Sequence, residues 1–478
     1  MRVGELSSTS TAAIAASIFV SPFMDHMVSP TSSSQSNLLK HLGGMGPYVQ
    51  GSGVGIPASF EWNVKPDKVF IFARHGERYP TKPVARRLKG VFDKLKLAAT
   101  TMLEVVDGNA DEEKNGANDD EKRIEGPLHF VKDWEFFIPG PDWLGMETLY
   151  GDFNGFQTMF DFGKSVKVKY GYLYEGCDDI IPIFTAGKQR CVDSAEEFGK
   201  GFFNDDEEKY ESNTRIIKLD ETKRMGADTL TTSISCKKYI RRGEYFKHPF
   251  IGRYMVSEAK RLNSLSPGFN LNAKDVYALT IYCAFELNAV GESRVCDALS
   301  LNTFVELEYF RDAELWYEKA AHPMSFALGS VYVDAMLRLF EGKETKQNLF
   351  FSFTHDTDLL HFMNALGLLE YQKEDLSTRN MDFTRFFKTS ELVPMGARIV
   401  VERYTINNEK YIRVLVNDAV LPIPECQNGP FFTCKLSKLR DIVDEKIQSC
   451  NFVEKCRITE ERPKELTFYW DWEERIAA

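Results

Sequence analysis

The sequence has little of what several common classes of protein require. Its formal net charge is −11, which argues against a broad basic face for nucleic acid. No apolar run approaches the roughly 18 residues of a membrane span. The longest near the start, residues 12–20, has nine. Because 43% of its 478 residues are hydrophobic and 27% are charged, we expect a soluble globular protein with a large core and no transmembrane segment.

Cysteine is present, but without the spacing of a metal or redox motif. None of the nine cysteines forms a CxxC pair, which argues against a zinc knuckle or a thioredoxin-like site. Short separations, such as Cys283 to Cys296 and Cys426 to Cys434, suit local disulfides in an oxidising compartment. The alternative is that several are small buried apolar residues, as in many cytosolic proteins. Residues 12–20 are similar to a weak secretory signal, so we expect secretion.

Two segments differ in composition from the rest of the chain. Residues 1–40 are rich in serine and threonine and predict a leader or disordered tail. Residues 107–126 contain eight acidic and three basic side chains, with glycines and asparagines between them. Ile124 is the only branched aliphatic residue of this segment. Such a segment cannot bury a core face, so it predicts a solvated acidic loop.

Hydrophobic patterning predicts an α/β fold. Continuous apolar runs predict strands at residues 68–74, 180–185 and 349–354, and residues 398–404 and 411–416 form a strand pair joined at Asn407 and Asn408. Helices are predicted at 84–103, from a capping-box pattern at Ser194 through Phe202, and at 358–366. The repeated order of strand, loop and helix places a site at the carboxyl ends of the strands.

One heptapeptide carries the first set of candidate catalytic residues. Residues 74–80 read RHGERYP and directly follow the strand predicted at 68–74. Arg74 and Arg78 flank His75, and guanidinium groups offer planar, paired donors for a phosphoryl group. Their charge also disfavours protonation of His75, which keeps the imidazole neutral and nucleophilic. The cluster therefore predicts attack on phosphate rather than metal binding.

A second cluster follows another predicted strand. His355 and Asp356 come directly after residues 349–354, so that His355 is placed to hold a phosphate oxygen and Asp356 to protonate a leaving alcohol. Arg190 lies in the corresponding position after the strand predicted at 180–185. Taken singly, His355 is more often a packed residue, Asp356 a helix cap and Arg190 a surface charge. The remaining six histidines have no partner pattern and are interpreted as structural.

These motifs resemble those of the histidine acid phosphatases, and closely those of the secreted yeast members. Residues 74–80 match the RHGxRxP signature of that family, and His355 and Asp356 match its HD motif. Further similar segments are LGGMGP at 42–47, CAFELN at 283–288, NDAV at 417–420 and LTFYWDW at 466–472. The resemblance therefore extends from about residue 38 to the C-terminus and identifies residues 41–478 as one family domain.

The resemblance implies a mixed central sheet flanked by helices, with a smaller helical domain over the active site. It implies hydrolysis of small phosphate monoesters through a phosphohistidine on His75, with Asp356 as proton donor and without metal or cofactor. Phosphate would be bound by a set of side chains that includes Thr81: Arg74, Arg78, Arg190, His355 and Thr81. Disulfides implied by the family are Cys236–Cys456, Cys283–Cys296 and Cys426–Cys434.

The location of the protein has two readings. The resemblance implies export to the cell wall or periplasmic space. One family disulfide is missing, however, because residues 59–62 and 405–408 contain no cysteine. The chain also has no N-x-S/T sequon, and an intracellular location is therefore the alternative.

Several functions remain open from the sequence. A phytase of the same family is the nearest alternative, although Glu77 beside the predicted pocket would disfavour a highly charged inositol phosphate. A metallohydrolase would use His75, Glu77, His355 and Asp356 as ligands, which the flanking arginines argue against. A non-catalytic binding or cell-surface protein could keep the fold, but the intact set of site residues argues against it. Homo-oligomers are possible.

Overall fold

The chain is described by a computed structural model over residues 38–58, 64–108, 124–174, 180–204, 206–240, 253–342 and 344–477. Of the predicted leader, 1–40, only residues 38–40 lie within these ranges, in a short 3₁₀-helix, Leu38–His41. Most of the predicted acidic loop, 107–126, lies outside the described residues.

A mixed sheet forms the centre of the fold, as predicted. Its strand order is β3-β2-β4-β1-β5-β6-β7, with β8 paired to β6. Neighbours from β3 to β1 are parallel, and those from β1 to β7 are antiparallel. The strands are β1 Lys68–Arg74, β2 Ile181–Ala186, β3 Thr214–Leu219, β4 Leu349–Thr354, β5 Arg398–Ile406, β6 Glu409–Val416, β7 Ala419–Val420 and β8 Cys434–Lys435.

Helices cover both faces of this sheet and form a second layer beside it. In chain order the described α-helices are α1 Lys82–Gly108, α2 Gly155–Tyr170, α3 Gln189–Phe202, α4 Glu207–Asn213, α5 Thr232–Ser235, α6 Arg253–Leu265, α7 Ala273–Val290, α8 Arg294–Ala298, α9 Leu301–Leu315, α10 Ser325–Glu341, α11 Asp356–Ala365, α12 Thr389–Leu392, α13 Leu436–Ser449, α14 Phe452–Cys456 and α15 Phe468–Ala477. A π-helical turn, Trp316–Ala320, extends α9.

The burial of strand β1 explains the unbroken apolar run in its interior. All seven of its residues are buried. Phe70 and Phe72 point into a core shared with α10, α11 and α15, whereas Val69, Ile71 and Ala73 point into a core shared with α2 and α3. A strand that is covered on both faces cannot alternate polar and apolar residues, and its sequence is accordingly continuous in apolar character.

A separate helical core confirms the smaller helical layer. It is built by α1, α6, α7 and the N-terminal half of α9, together with Leu42 and Met45 from the segment before β1. Helix α7 is well defined at both ends, since Asn272 and Asp275 form a capping box and Gly291 ends the helix in the left-handed region with φ of 87°. This helix also contacts the segment that follows β1, because the ring of Phe285 lies 5.5 Å from the guanidinium of Arg78.

Two helix starts differ from the prediction. Helix α3 begins at Gln189, so Ser194 is an interior residue rather than its cap, and Arg190 lies in the first helical turn rather than in a loop. Helix α11 begins at Asp356, two residues earlier than expected. The predicted turn is confirmed, since Asn407 and Asn408 take φ of 50° and 63° between β5 and β6, as a two-residue hairpin of type I′ requires.

Three disulfides form in the structure, and they are the pairs implied by the resemblance. They join Cys236 to Cys456, Cys283 to Cys296 and Cys426 to Cys434. Cys191 is a buried free thiol and Cys450 a half-buried one. No helix among the described residues is both long enough and apolar enough to cross a bilayer.

The disulfides differ most in the length of chain that they close. Cys236 and Cys456 are 220 residues apart, whereas Cys426 and Cys434 are 8 apart, and all four side chains are at most 2% exposed. Loop-closure entropy then predicts a loss of about 5 kcal/mol for the double alanine variant of the long link and about 2.5 kcal/mol for that of the short one.

Urea unfolding of the two double variants tests this ranking. Because burial is matched at the four positions, the small cavities left by the substitutions should cost similar amounts in both variants. Equal losses, or a larger loss for the short link, would contradict the chain-entropy explanation.

Candidate active site

Two neighbouring parallel strands bring the two predicted motifs together. Strands β1 and β4 pair in a register that sets Arg74 opposite Thr354, so the residues that follow them leave the sheet side by side. The backbone N–H of His75 donates to the carbonyl of Thr354 at 3.1 Å. The imidazole rings of His75 and His355 lie edge to face with centroids 5.7 Å apart. The site is thus at the carboxyl edge of the sheet, as predicted.

The hydrogen bonds of His75 define which nitrogen can react. Nδ1 lies 2.8 Å from the carbonyl oxygen of Gly76, and a carbonyl oxygen only accepts, so Nδ1 carries the proton. The lone pair is therefore on Nε2. Burial lowers the pKa of His75 well below its usual value, and the positive charges of Arg190, Arg74 and Arg78 lower it further. The neutral form of the imidazole, which is the nucleophilic one, is therefore favoured.

Three guanidinium groups surround this imidazole, of which that of Arg74 is buried and those of Arg78 and Arg190 are half-buried. Arg74 is anchored by its Nη1, which donates to the carbonyls of Gly44 at 2.7 Å and Val393 at 2.6 Å. Arg78 donates from Nη1 to the carbonyl of Tyr79 at 2.9 Å. Burial lowers the pKa of Arg78 to about 9, helped by the charges of the other two arginines.

Each of these three arginines has a buried hydrogen-bond donor that is not satisfied within the described part of the protein. The Nε atoms of Arg74, Arg78 and Arg190 have no hydrogen-bond partner among the described residues. Buried unsatisfied donors are costly unless an anion or water satisfies them. Their convergence beside a neutral imidazole is the chemistry of a site for a phosphoryl group.

His355 has an acidic partner that the sequence analysis missed. Its Nε2 lies 2.9 Å from Oε1 of Glu221, which can only accept from it, while Nη2 of Arg190 donates to Nδ1 at 3.3 Å. Burial lowers the pKa of His355, although the hydrogen bond to Glu221 opposes this. The same Glu221 oxygen accepts from the backbone N–H of Lys188 at 3.0 Å, just before α3. One carboxylate thus orients His355 and caps the helix that carries Arg190.

Asp356 lies between two cations at the start of α11. Its Oδ2 is 3.2 Å from Nη2 of Arg74, and its Oδ1 accepts from Nζ of Lys319 at 2.8 Å. The hydroxyl of Thr357 also donates to Oδ1 at 3.1 Å. The side chain of Asp356 is 20% exposed, whereas that of Lys319 is 8% exposed. The carboxyl group is therefore partly exposed, while the ammonium group beside it is buried.

A second buried bridge holds the backbone after His75. The N–H of Gly76 donates to Oγ of Ser194 at 2.9 Å, and this oxygen lies 2.8 Å from the carbonyl of Arg190 and 2.6 Å from Oε1 of Glu147. Burial raises the pKa of Glu147 well above its usual value, so its neutral form is favoured. A side chain at Gly76 would meet Glu147 at 2.2 Å, which explains why glycine is needed there.

Two sequence-predicted residues are placed differently from the rest. The carboxyl of Glu77 is fully buried, accepts from the backbone N–H of Tyr48 at 2.7 Å, and has its pKa raised by burial. The expectation that its charge faces the pocket and repels inositol phosphates therefore loses its basis. Thr81 is half-buried directly before α1, and its carbonyl accepts from the N–H of Ala85. No hydrogen bond within the described residues joins Thr81 to the histidines or arginines.

Sequence reasoning predicted side chains that do meet at this site but missed the groups that position them. Six of the predicted residues come together: Arg74, His75, Arg78, Arg190, His355 and Asp356. Glu147, Glu221 and Lys319 were missed, because each lies far along the chain from its partner and belongs to no motif, and Ser194 was interpreted as a helix cap. Across the described residues, no group of three or more histidine, cysteine, aspartate or glutamate side chains is placed to hold a metal ion.

Comparison with known proteins gives consistent results. The family described as "Histidine phosphatase superfamily (branch 2)" matches residues 67–417. The chain is 35% identical to Acid phosphatase PHO1 of Komagataella pastoris, over 91% of this chain and 90% of that protein. It is 33% identical to Phytase PHO112 of Candida albicans, over 92% and 91%. The crystal structure of the phytase from D. castellii matches with a TM-score of 0.81 and 31% identity, over 94% of this chain and 93% of that one.

The neutral state of Glu147 predicts a specific pH dependence of stability. A carboxyl whose pKa is raised by folding binds its proton more tightly in the folded state, so stability falls as pH rises above the ordinary glutamate range. Glu147→Gln keeps the hydrogen bond to Ser194 without a titrating group. We expect the urea midpoint of the wild type to fall between pH 5 and pH 8, and that of Glu147→Gln to fall less.

Glu258→Gln is the matched control, since Glu258 is also buried but is held by Arg261 at 2.9 and 2.7 Å. Burial would raise the pKa of Glu258, but the hydrogen bonds from Arg261 and Ser300 outweigh it and the pKa is lowered. Its ionised form is therefore stabilising above the ordinary glutamate range, and Glu258→Gln should destabilise most at pH 8. Identical pH dependence of the wild type and Glu147→Gln would refute a neutral Glu147.

Proposed function

Since the chain belongs to branch 2 of the histidine phosphatase superfamily, we propose that it is an acid phosphatase that hydrolyses phosphate monoesters through a phosphohistidine on His75. The observation that carries this proposal is the environment of one imidazole. His75 is neutral, has its lone pair on Nε2, and lies among three arginines whose Nε donors have no partner within the described residues. Acid phosphatases are also found among the similar proteins.

The first step is transfer of the phosphoryl group to the enzyme. Nε2 of His75 forms a bond to phosphorus while the bond from phosphorus to the ester oxygen breaks, and Asp356 gives its proton to that oxygen. Arg74, Arg78 and Arg190 compensate the negative charge on the phosphoryl oxygens. Nδ1 keeps its proton, which the carbonyl of Gly76 accepts throughout.

The second step returns the enzyme to its starting state. The Asp356 carboxylate takes a proton from water, the water oxygen bonds to phosphorus, and the bond between phosphorus and Nε2 breaks to release inorganic phosphate. His355, held by Glu221 through Nε2–H, would bind a phosphoryl oxygen through Nδ1 once Arg190 turns toward the phosphate and Nδ1 takes up a proton from solvent. Thr81 would line the entrance. This chemistry uses no metal ion or cofactor.

We further propose that the protein is secreted, to the cell wall or periplasmic space. Three disulfides suit an oxidising compartment, and one of them links residues 220 positions apart. An intracellular protein of this type would keep these cysteines reduced. Non-reducing mass measurement of the protein isolated from its native compartment distinguishes the two locations.

Hydrolysis of p-nitrophenyl phosphate at acidic pH in excess chelator tests the proposed chemistry. We expect the wild type to keep its activity under chelation and His75→Ala to lose about 10³-fold or more. His129→Ala is the matched control, because His129 is exposed and bonds only to the carbonyl of Gly126 among the described residues. Activity that disappears with chelator, or that persists without His75, would overturn the proposal.

A phytase is the second candidate, because two of the matched proteins are phytases at 33% and 31% identity. Both activities would use the same six site residues, so the difference lies in how well the site accepts additional phosphate groups. An acid phosphatase without positions for additional phosphate groups should have a higher kcat/KM for p-nitrophenyl phosphate than for phytate at the same pH. A higher value for phytate would favour the second candidate without affecting the role of His75.

A further inference from the structure

The proposed proton donor has an unusual environment for an acid. Among the described residues, Asp356 is faced by Arg74 from β1, by Lys319 from the π-helical turn, by the adjacent His355 and, at longer range, by Arg78. It also lies at the N-terminus of α11, where the helix dipole favours negative charge. Each of these favours the carboxylate over the protonated acid. A group that must donate a proton in the first step is thus held toward its ionised form.

Lys319 differs from Arg74 in that the proposed mechanism gives it no task. Arg74 is oriented by two backbone carbonyls and is available to phosphate, whereas Lys319 donates from Nζ to Oδ1 of Asp356 at 2.8 Å. Lys319 is 6% exposed overall. A buried ammonium group is retained against its desolvation cost only where it is paired.

The backbone of Lys319 is fixed with respect to the helix that carries Asp356. The carbonyl of Ala320 accepts from Nδ2 of Asn364, in α11, at 3.0 Å. On the other side, the hydroxyl of Tyr239 donates to the carbonyl of Glu318 at 2.8 Å. The turn itself is π-helical, a local irregularity that is frequent at functional sites. The Lys319–Asp356 contact is therefore set by the fold and not by a mobile surface side chain.

We propose, on the basis of the function proposed above, that Lys319 is a positioning residue that sets the pH range in which Asp356 works as proton donor and acceptor. The two steps make opposite demands, because Asp356 must be protonated in the first and ionised in the second. A cation at 2.8 Å moves the balance between these forms to lower pH. When the substrate binds, its phosphate adds negative charge beside Arg74 and favours protonation of Asp356. After the alcohol has left with that proton, Lys319 stabilises the Asp356 carboxylate.

The test compares the pH dependence of kcat/KM for Lys319→Met with that of the wild type, using an alkyl phosphate and p-nitrophenyl phosphate. Loss of the charge should move the alkaline limb for the alkyl ester upward by about one pH unit, a roughly tenfold relative gain on that limb. The shift should be smaller for p-nitrophenyl phosphate, because its leaving group departs without a proton.

Three further variants separate charge from structure. Lys319→Gln keeps a hydrogen-bond donor without the charge and should shift the limb as Lys319→Met does, whereas Lys319→Arg should restore the wild-type limb. Lys446→Met makes the same substitution at a lysine of α13 that is paired with Glu370 and Glu425. This variant should leave the limb unmoved. If the neutral variants fail to fold, a limb in Lys319→Arg that departs from the wild type still contradicts the proposal.

The outcomes also distinguish this inference from the proposed function. A uniform loss of kcat/KM at every pH, with the limb in place, would show that Lys319 binds phosphate or supports the fold, and would overturn only the inference. An Asp356→Asn enzyme as active as the wild type on the alkyl phosphate would overturn Asp356 as proton donor, whereas full activity of His75→Ala would overturn the proposed function itself.

Discussion

The parallel pairing of β1 with β4 is the constraint on which the rest of the site depends. These strands are 275 or more residues apart along the chain, and their register sets Arg74 opposite Thr354. A shift of one residue would turn the side chains of β1 to the opposite faces and separate His75 from His355. The large aromatic side chains of both strands, which pack on both faces, fix this register.

The site that this register creates is a balance of buried charges. Arg74, Arg78 and Arg190 would be unfavourable together in a protein interior without compensation. Asp356 and Glu221 supply two carboxylates at its edge, one directly on Arg74 and the other through His355. The remaining positive charge lies around His75, where it keeps the imidazole neutral and prepares the site for an anion.

The sequence predicted most accurately the elements whose signal is local. The bounds of β1 and β4 were predicted as the structure has them, because an apolar strand interior is a continuous pattern, and the turn at Asn407 and Asn408 has a type-specific composition. The start of α3 was predicted wrongly for a physical reason. Lys188 has no capping side chain of its own, and its N–H bonds instead to Glu221, 33 residues away.

The groups that tune the reacting residues could not be predicted for the same reason. Glu147 meets Ser194 across 47 residues, Glu221 meets His355 across 134, and Lys319 meets Asp356 across 37. A single glutamate or lysine within a helix or loop is typical of solvent-exposed surface, and only the assembled fold shows that these are buried. Motifs thus predict which side chains meet at the site, while the contacts that surround them depend on long-range packing.

Trapping the phosphorylated enzyme tests the central claim most directly. Asp356→Asn should still be phosphorylated by p-nitrophenyl phosphate, whose leaving group needs no proton, but should release phosphate slowly because no carboxylate activates water. The account predicts that enzyme quenched within the first turnover carries one phosphoryl group, located by mass spectrometry on Nε2 of His75. A phosphoryl group on another residue, or none at all during measurable turnover, would contradict it.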